Sequence, residues 1–143
     1  MDPRLLVTRD RAETGRQFLI RLAATDAAPV GAMWAQRSDK DDQAYLFVVT
    51  PLVETKGPLA AYSITGDIER ELDAAINDPF TELGRSAVKL LGPSDRLARG
   101  LLEWYRQSPT DRPAFRSSSY LGDVSLDGAY IYPATMFAPP QPV

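Results

Sequence analysis

A chain of 143 residues with a net charge of −3 has the size of one domain, and such a chain buries roughly 68% of its unfolded surface, enough for a core without metal or disulfide staples. It contains neither cysteine nor histidine, which excludes disulfides, zinc sites of the Cys/His type, thiol nucleophiles and triads with a histidine base. Apolar residues make up 44% of it, as in globular chains, but no apolar run reaches the roughly 18 residues of a membrane span.

The opening MDPRLLVTRD is too charged for a signal peptide, so a cytoplasmic setting is expected. Leu5 to Val7 reads as a short lead-in strand or loose chain. A helix follows over Arg11 to Ala24. Asp10 is its expected cap, with Glu13 completing a capping-box pattern. Phe18, Leu19, Leu22 and Ala23 give it an apolar face, and Gly15 weakens it by about 1 kcal/mol relative to Ala. Val30 to Gln36 reads as a strand, RSDKDD (37–42) as a turn, and Ala44 to Thr50 as a strand covered on both faces. The two strands should pair antiparallel. Pro51 limits further pairing, and Leu52 to Glu54 is expected to extend the strand.

Gly57-Pro58 opens a new element, since proline suits the first helical position. Ala61, Ile64, Ile68, Leu72, Ala75 and Ile76 recur at helical spacing, which predicts one helix over 58–76; the alternative makes LAAYSIT a strand and starts the helix at Asp67. Asn77-Asp78-Pro79 stops it. Ser86 to Leu91 reads as a strand. Ser94 is then the expected cap of a helix over Asp95 to Gln107, with Leu97, Leu101, Trp104 and Tyr105 toward the core and Gly100 allowing close packing. SPTDRP (108–113) is a loop and Ala114 to Leu121 a strand. The last hairpin has two candidate turns. Asp127-Gly128 is the stronger dipeptide, but Gly122-Asp123 gives longer arms and is adopted; Gly128 then sits inside a strand as a bulge or close contact.

This order predicts an α+β domain: a mostly antiparallel sheet of four to five strands with about three helices packed on it. One domain is expected over 1–132, followed by a proline-rich, extended or disordered tail over 133–143. Gly57-Pro58, the capped helix at Pro93 to Asp95 and the closing Asp127-Gly128-Ala129-Tyr130-Ile131-Tyr132-Pro133 together resemble a loose group of small uncharacterised bacterial proteins with a closing D-A-Y-I-Y-R-like strand. Gly128 is inserted relative to that pattern and Pro133 stands in place of its arginine. The resemblance spans 45–132, implies a single α+β domain and brings no catalytic residue.

Four groups of residues are candidates for function. Tyr130 and Tyr132 share a strand face; with Tyr120, and with Arg112 and Arg116 nearby, they form a candidate aromatic binding surface, against the plainer reading of a partly buried strand. Asp39, Asp41 and Asp42 lack the EF-hand spacing and read as a solvated turn, with no metal or other cofactor expected. Glu54-Thr55-Lys56 resembles the E-x-K element of restriction-endonuclease-like nucleases, whose upstream acid would here be Asp42; the resemblance implies Mg²⁺ held by two carboxylates with the lysine helping to activate water. Arg96, Arg99 and Arg106 lie near one helix face and are the candidate phosphate-facing set. Residues 1–78 carry 13 acids and 9 bases, and residues 79–143 carry 6 and 7, too even a balance for a strongly basic nucleic-acid binder. The expectation is a non-catalytic accessory or interaction domain with a protein partner or a second copy of itself, ahead of a nuclease or a weak nucleic-acid-binding module.

Overall fold

The computed structural model describes residues 9–76, 88–108 and 111–137. In chain order these form α1 (Arg9–Leu22), β1 (Gly31–Arg37), β2 (Tyr45–Val49), α2 (Leu52–Thr55), α3 (Pro58–Ile76), β3 (Val88–Leu91), α4 (Arg96–Gln107), β4 (Ala114–Leu121), β5 (Val124–Ile131) and a 3-10 turn (Ala134–Met136). The expected lead-in strand, the helix stop at 77–79, Ser86 and the last six residues of the expected tail lie outside the described residues. The fold is α+β, as composition and periodicity predict. Its five strands run in the order β3-β2-β1-β5-β4. Every neighbouring pair is antiparallel except β2 and β3. A parallel pair requires a crossover, and α3 lies within it. Among the described residues, no helix is long and apolar enough to cross a membrane.

The apolar runs of β1 and β2 are buried because helices cover both faces of the sheet. On one face α4 lies against β1, with Tyr105 and Leu101 over Gly31. Trp34, three positions along β1, points the other way and meets α1 at Gly15. Arg21 of α1 pairs with Glu71 of α3, which sets these two helices side by side. Two tyrosines close the seam between β1 and β5. The Tyr105 hydroxyl donates to the Tyr132 carbonyl at 2.7 Å and accepts from the Ala32 N–H at 3.4 Å. These strand-end groups would otherwise be buried without partners, at about 1–3 kcal/mol each.

Several local expectations are corrected. Leu52 to Glu54 does not extend β2. Pro51 takes helical angles, φ −60° and ψ −22°, and the chain turns at once into α2. α4 is capped by Asp95 rather than Ser94: the Asp95 carboxylate accepts from the N–H groups of Leu97 (2.9 Å) and Ala98 (3.3 Å), because the helix begins one residue later than expected. Asp10 lies within α1 instead of capping it, and Glu13 bonds Arg16 and Gln17 on the same helix. Ala23 is exposed, beyond the end of α1. The chain after Tyr132 is not loose at first: Phe137 is buried, its ring 6.1 Å from that of Tyr105.

α3 is one helix over Pro58–Ile76. The last hairpin turns at Gly122-Asp123, where Gly122 adopts φ +61°, a conformation glycine takes without steric cost. Gly128 sits in β5 opposite Gln36, at a bulge where the register with β1 shifts past Asp127.

Candidate functional site

The three tyrosines of the expected binding surface do not act together. Tyr132 is a core residue, 2% exposed. Its hydroxyl accepts from the Trp34 indole N–H at 3.1 Å and donates to the Ala12 carbonyl at 2.7 Å. Gly15 makes room for it; a Cβ there would lie 2.3 Å from that hydroxyl oxygen. Gly15 is therefore a packing position rather than a weak point of α1. Tyr130 is half-buried, held edge-on between Tyr132 (centroids 5.2 Å) and Phe115 (4.8 Å). The ring series thus runs outward from the core to Phe115 on β4, which is 48% exposed and which sequence reasoning missed. Its signal was the position of Phe115 one residue into a strand otherwise rich in serine. Tyr120 is 66% exposed and pairs with Ser125 near the hairpin turn, about 17 Å along β4 from Phe115.

Burial raises both the Tyr132 and the Tyr105 hydroxyls well above the ordinary tyrosine range. A raised group contributes its stability in full below its unfolded value, near 10, and loses it as pH rises toward the folded value. Alkaline unfolding is the expected result. Phenolate absorbance from these two residues and loss of circular dichroism should rise together above about pH 10; phenolate formation in a fully folded chain would contradict their burial.

The acidic turn 37–42 is solvated at Asp39 and Asp42 but not at Asp41, whose side chain is 0% exposed. Its carboxylate accepts from the Arg37 backbone N–H (2.8 Å), Nε (3.0 Å) and Nη2 (2.9 Å). Lys89 Nζ stands 3.6 Å away. The Arg37 guanidinium lies 5.1 Å from the Phe47 ring centre, and the Lys89 ammonium 4.0 Å from that of Tyr45. Burial alone would raise the Asp41 carboxyl, but the Arg37 hydrogen bonds and the two cations outweigh it and hold the carboxyl below the usual range. Neighbouring Asp42 instead accepts from the Tyr45 hydroxyl at 2.8 Å. Among the described residues, no group of three or more acidic side chains is placed to hold a metal ion.

The nuclease-like set is not assembled. Asp42 precedes β2 and Glu54 follows it; a five-residue strand separates them by about 17 Å. Glu54 and Lys56 sit on and just after α2, not at the end of a strand, because Pro51 ends β2. The Glu54 carboxylate is already engaged, accepting from the Ser94 N–H at 2.8 Å and from the Ser94 hydroxyl, and these bonds lower its pKa. Arg96, Arg99 and Arg106 are all exposed on α4. Acids interleave them: Arg96 pairs with Asp123 and Arg106 with Glu103, while the charge of Arg99 helps to lower the Asp123 carboxyl. Arg112 is exposed in the loop before β4, and Arg116 is partly buried on the strand.

The two edges of the sheet differ. Among the described residues β3 has four, and one of its N–H groups, that of Leu90, donates to the Tyr62 hydroxyl of α3 at 3.0 Å. β4 has eight residues, and no strand pairs with its outer side among the described residues. It carries two of the large apolar side chains left exposed, Phe115 and Tyr120. Long edges of this kind are usually blunted by prolines, inward charges or covering elements, because their backbone groups invite another strand. No protein-family model, curated protein or solved structure matches the chain.

Proposed function

We propose that this chain is a small non-catalytic interaction domain that takes up an extended segment of a protein partner along the outer edge of β4. One observation carries the reading: an eight-residue edge strand bearing two exposed rings, in a sheet whose other edge has four described residues and one N–H, that of Leu90, bonded to Tyr62. In strand addition, main-chain hydrogen bonds supply affinity and the side chains beside them supply selectivity. Phe115 and Tyr120 would supply that apolar contact, and Phe115 is braced from behind by Tyr130. A cytoplasmic setting suits a chain without cysteine.

Lysine on an edge strand opposes further pairing, so Tyr120→Lys is the direct test. The partner recovered with the wild-type chain is purified and titrated against both chains. Binding is expected to weaken at least tenfold, about 1.4 kcal/mol, with the circular dichroism spectrum unchanged. Equal binding by both chains, or a wild-type chain that pairs with nothing, itself included, would refute the reading.

A further inference from the structure

The strand-addition reading leaves the occupant of β4 open, and the strand's own layout selects one. We infer that the occupant is a second copy of this chain, with the two β4 strands paired antiparallel about a two-fold axis midway between Ser117 and Ser118. The inference rests on the proposal above and on three further observations.

The first is the symmetry of the exposed groups. β4 runs from Ala114 to Leu121, so its midpoint falls between Ser117 and Ser118. Phe115 and Tyr120 lie equally far from that point. Antiparallel pairing about it sets Phe115 of each copy against Tyr120 of the other, an aromatic cross-strand pair formed twice. Five positions apart, these rings would take opposite faces of a regular strand. The ladder skips Ser118 and Asp127 between them, where β5 also carries its bulge. The alternation slips there by one, which returns both rings to one side.

The second is charge. The register that matches Phe115 with Tyr120 also matches Arg112 with Asp123. Both residues are exposed, and they have opposite sign. Arg112, which follows Asp111, thus comes beside Asp123 of the other copy at each end of the pairing, where Asp123 also pairs with Arg96 of its own chain.

The third is closure. Pairing between identical edges uses the same patch on both chains and leaves none over. The remaining outer strands of the resulting ten-stranded sheet are the two β3 strands, each with the Leu90 N–H taken by Tyr62. The assembly ends at two copies.

The chain has no native cysteine, so introduced thiols report cleanly. In the doubly substituted chain Phe115→Cys/Tyr120→Cys, oxidation should give a disulfide-linked dimer. Each single variant should not link. Residues 115 and 120 of one strand, and equally 115 of the two copies, lie about 17 Å apart, and cysteines whose Cα atoms are more than about 7 Å apart cannot bridge. Light scattering of the wild-type chain should give twice the single-chain mass of 15.8 kDa, and Tyr120→Lys should return it to one chain with its circular dichroism intact.

A wild-type chain that stays at single-chain mass at high micromolar concentration overturns the second copy as occupant, and strand addition is then decided by the unlike partner in the preceding titration. A dimer that survives Tyr120→Lys overturns the edge. A wild-type dimer whose doubly substituted form does not link, or whose single variants link as readily, overturns the register.

Discussion

Replacing Asp41 with alanine is expected to cost about 3 kcal/mol of stability, the low end of the range for breaking a buried ion pair. The cost arises from what is left behind. Arg37 and Lys89 would remain beside the Phe47 and Tyr45 rings with no anion between them. The low end applies because Arg37 keeps 21% of its side chain exposed and Lys89 36%, so water screens both in part. Asp39→Ala and Asp42→Ala serve as controls and should lie within about 1 kcal/mol of the parent, as exposed positions do. Urea unfolding reads all three.

The acid limb supplies an independent check with a definite sign. The Asp41 carboxyl is lowered in the folded chain, so the unfolded chain takes up its proton first. Its contribution is complete above the unfolded value, near 3.9, and disappears as pH falls through the lower folded value. The stability gap between the parent and Asp41→Asn should therefore be constant from neutral pH to about pH 4 and close only below it. A gap that closes nearer neutrality would mean that the carboxylate is not held in this way.

The second large effect is a change of sign between two helical glycines. Alanine ordinarily stabilises a helix interior by about 1 kcal/mol relative to glycine. Gly66→Ala on α3 should show that gain, since the nearest atom to its new Cβ is the flexible end of Arg70 at 3.8 Å. Gly100→Ala on α4 should instead lose about 2 kcal/mol, the scale of overpacking. Its Cβ would fall 2.7 Å from the Leu121 carbonyl carbon, 2.8 Å from the carbonyl oxygen and 2.9 Å from the Gly122 nitrogen. These are backbone atoms of the β4–β5 hairpin and have no rotamer to escape into; the helix must lift from the sheet. Urea midpoints moving in opposite directions would bear this out, and a stabilised Gly100→Ala chain would refute the close approach.

What the sequence made legible follows the range over which each signal acts. Period and punctuation are local, so α3, the paired β1 and β2, the Gly122-Asp123 turn and the packing role of Gly100 could all be read from neighbours in the chain. Asp41 could not be told from Asp39 and Asp42. Its difference lies partly in Arg37, four residues away, and partly in Lys89, which reaches it only because β3 runs parallel to β2. For Tyr132 both a binding surface and a partly buried strand stay open in the sequence, because alternation gives the face of a side chain, not what covers that face. Its cover is α1, through Ala12 and Gly15. Glu54-Thr55-Lys56 shows the converse: the motif is local, but its chemistry depends on a strand, and Pro51 ends β2 before it.

The place of β1 sets an order of events during synthesis. It is the central strand, yet one of its two neighbours, β5, is the last strand in chain order among the described residues. β2 can pair with it soon after emergence, since only a short turn separates them. The other side of β1, from Met33 to Arg37, has no partner until β5 has left the ribosome. A nascent or truncated chain ending before Val124 therefore presents Met33 and Trp34 on a bare edge in the middle of its future core. Such chains are the ones most exposed to aggregation and to chaperone capture.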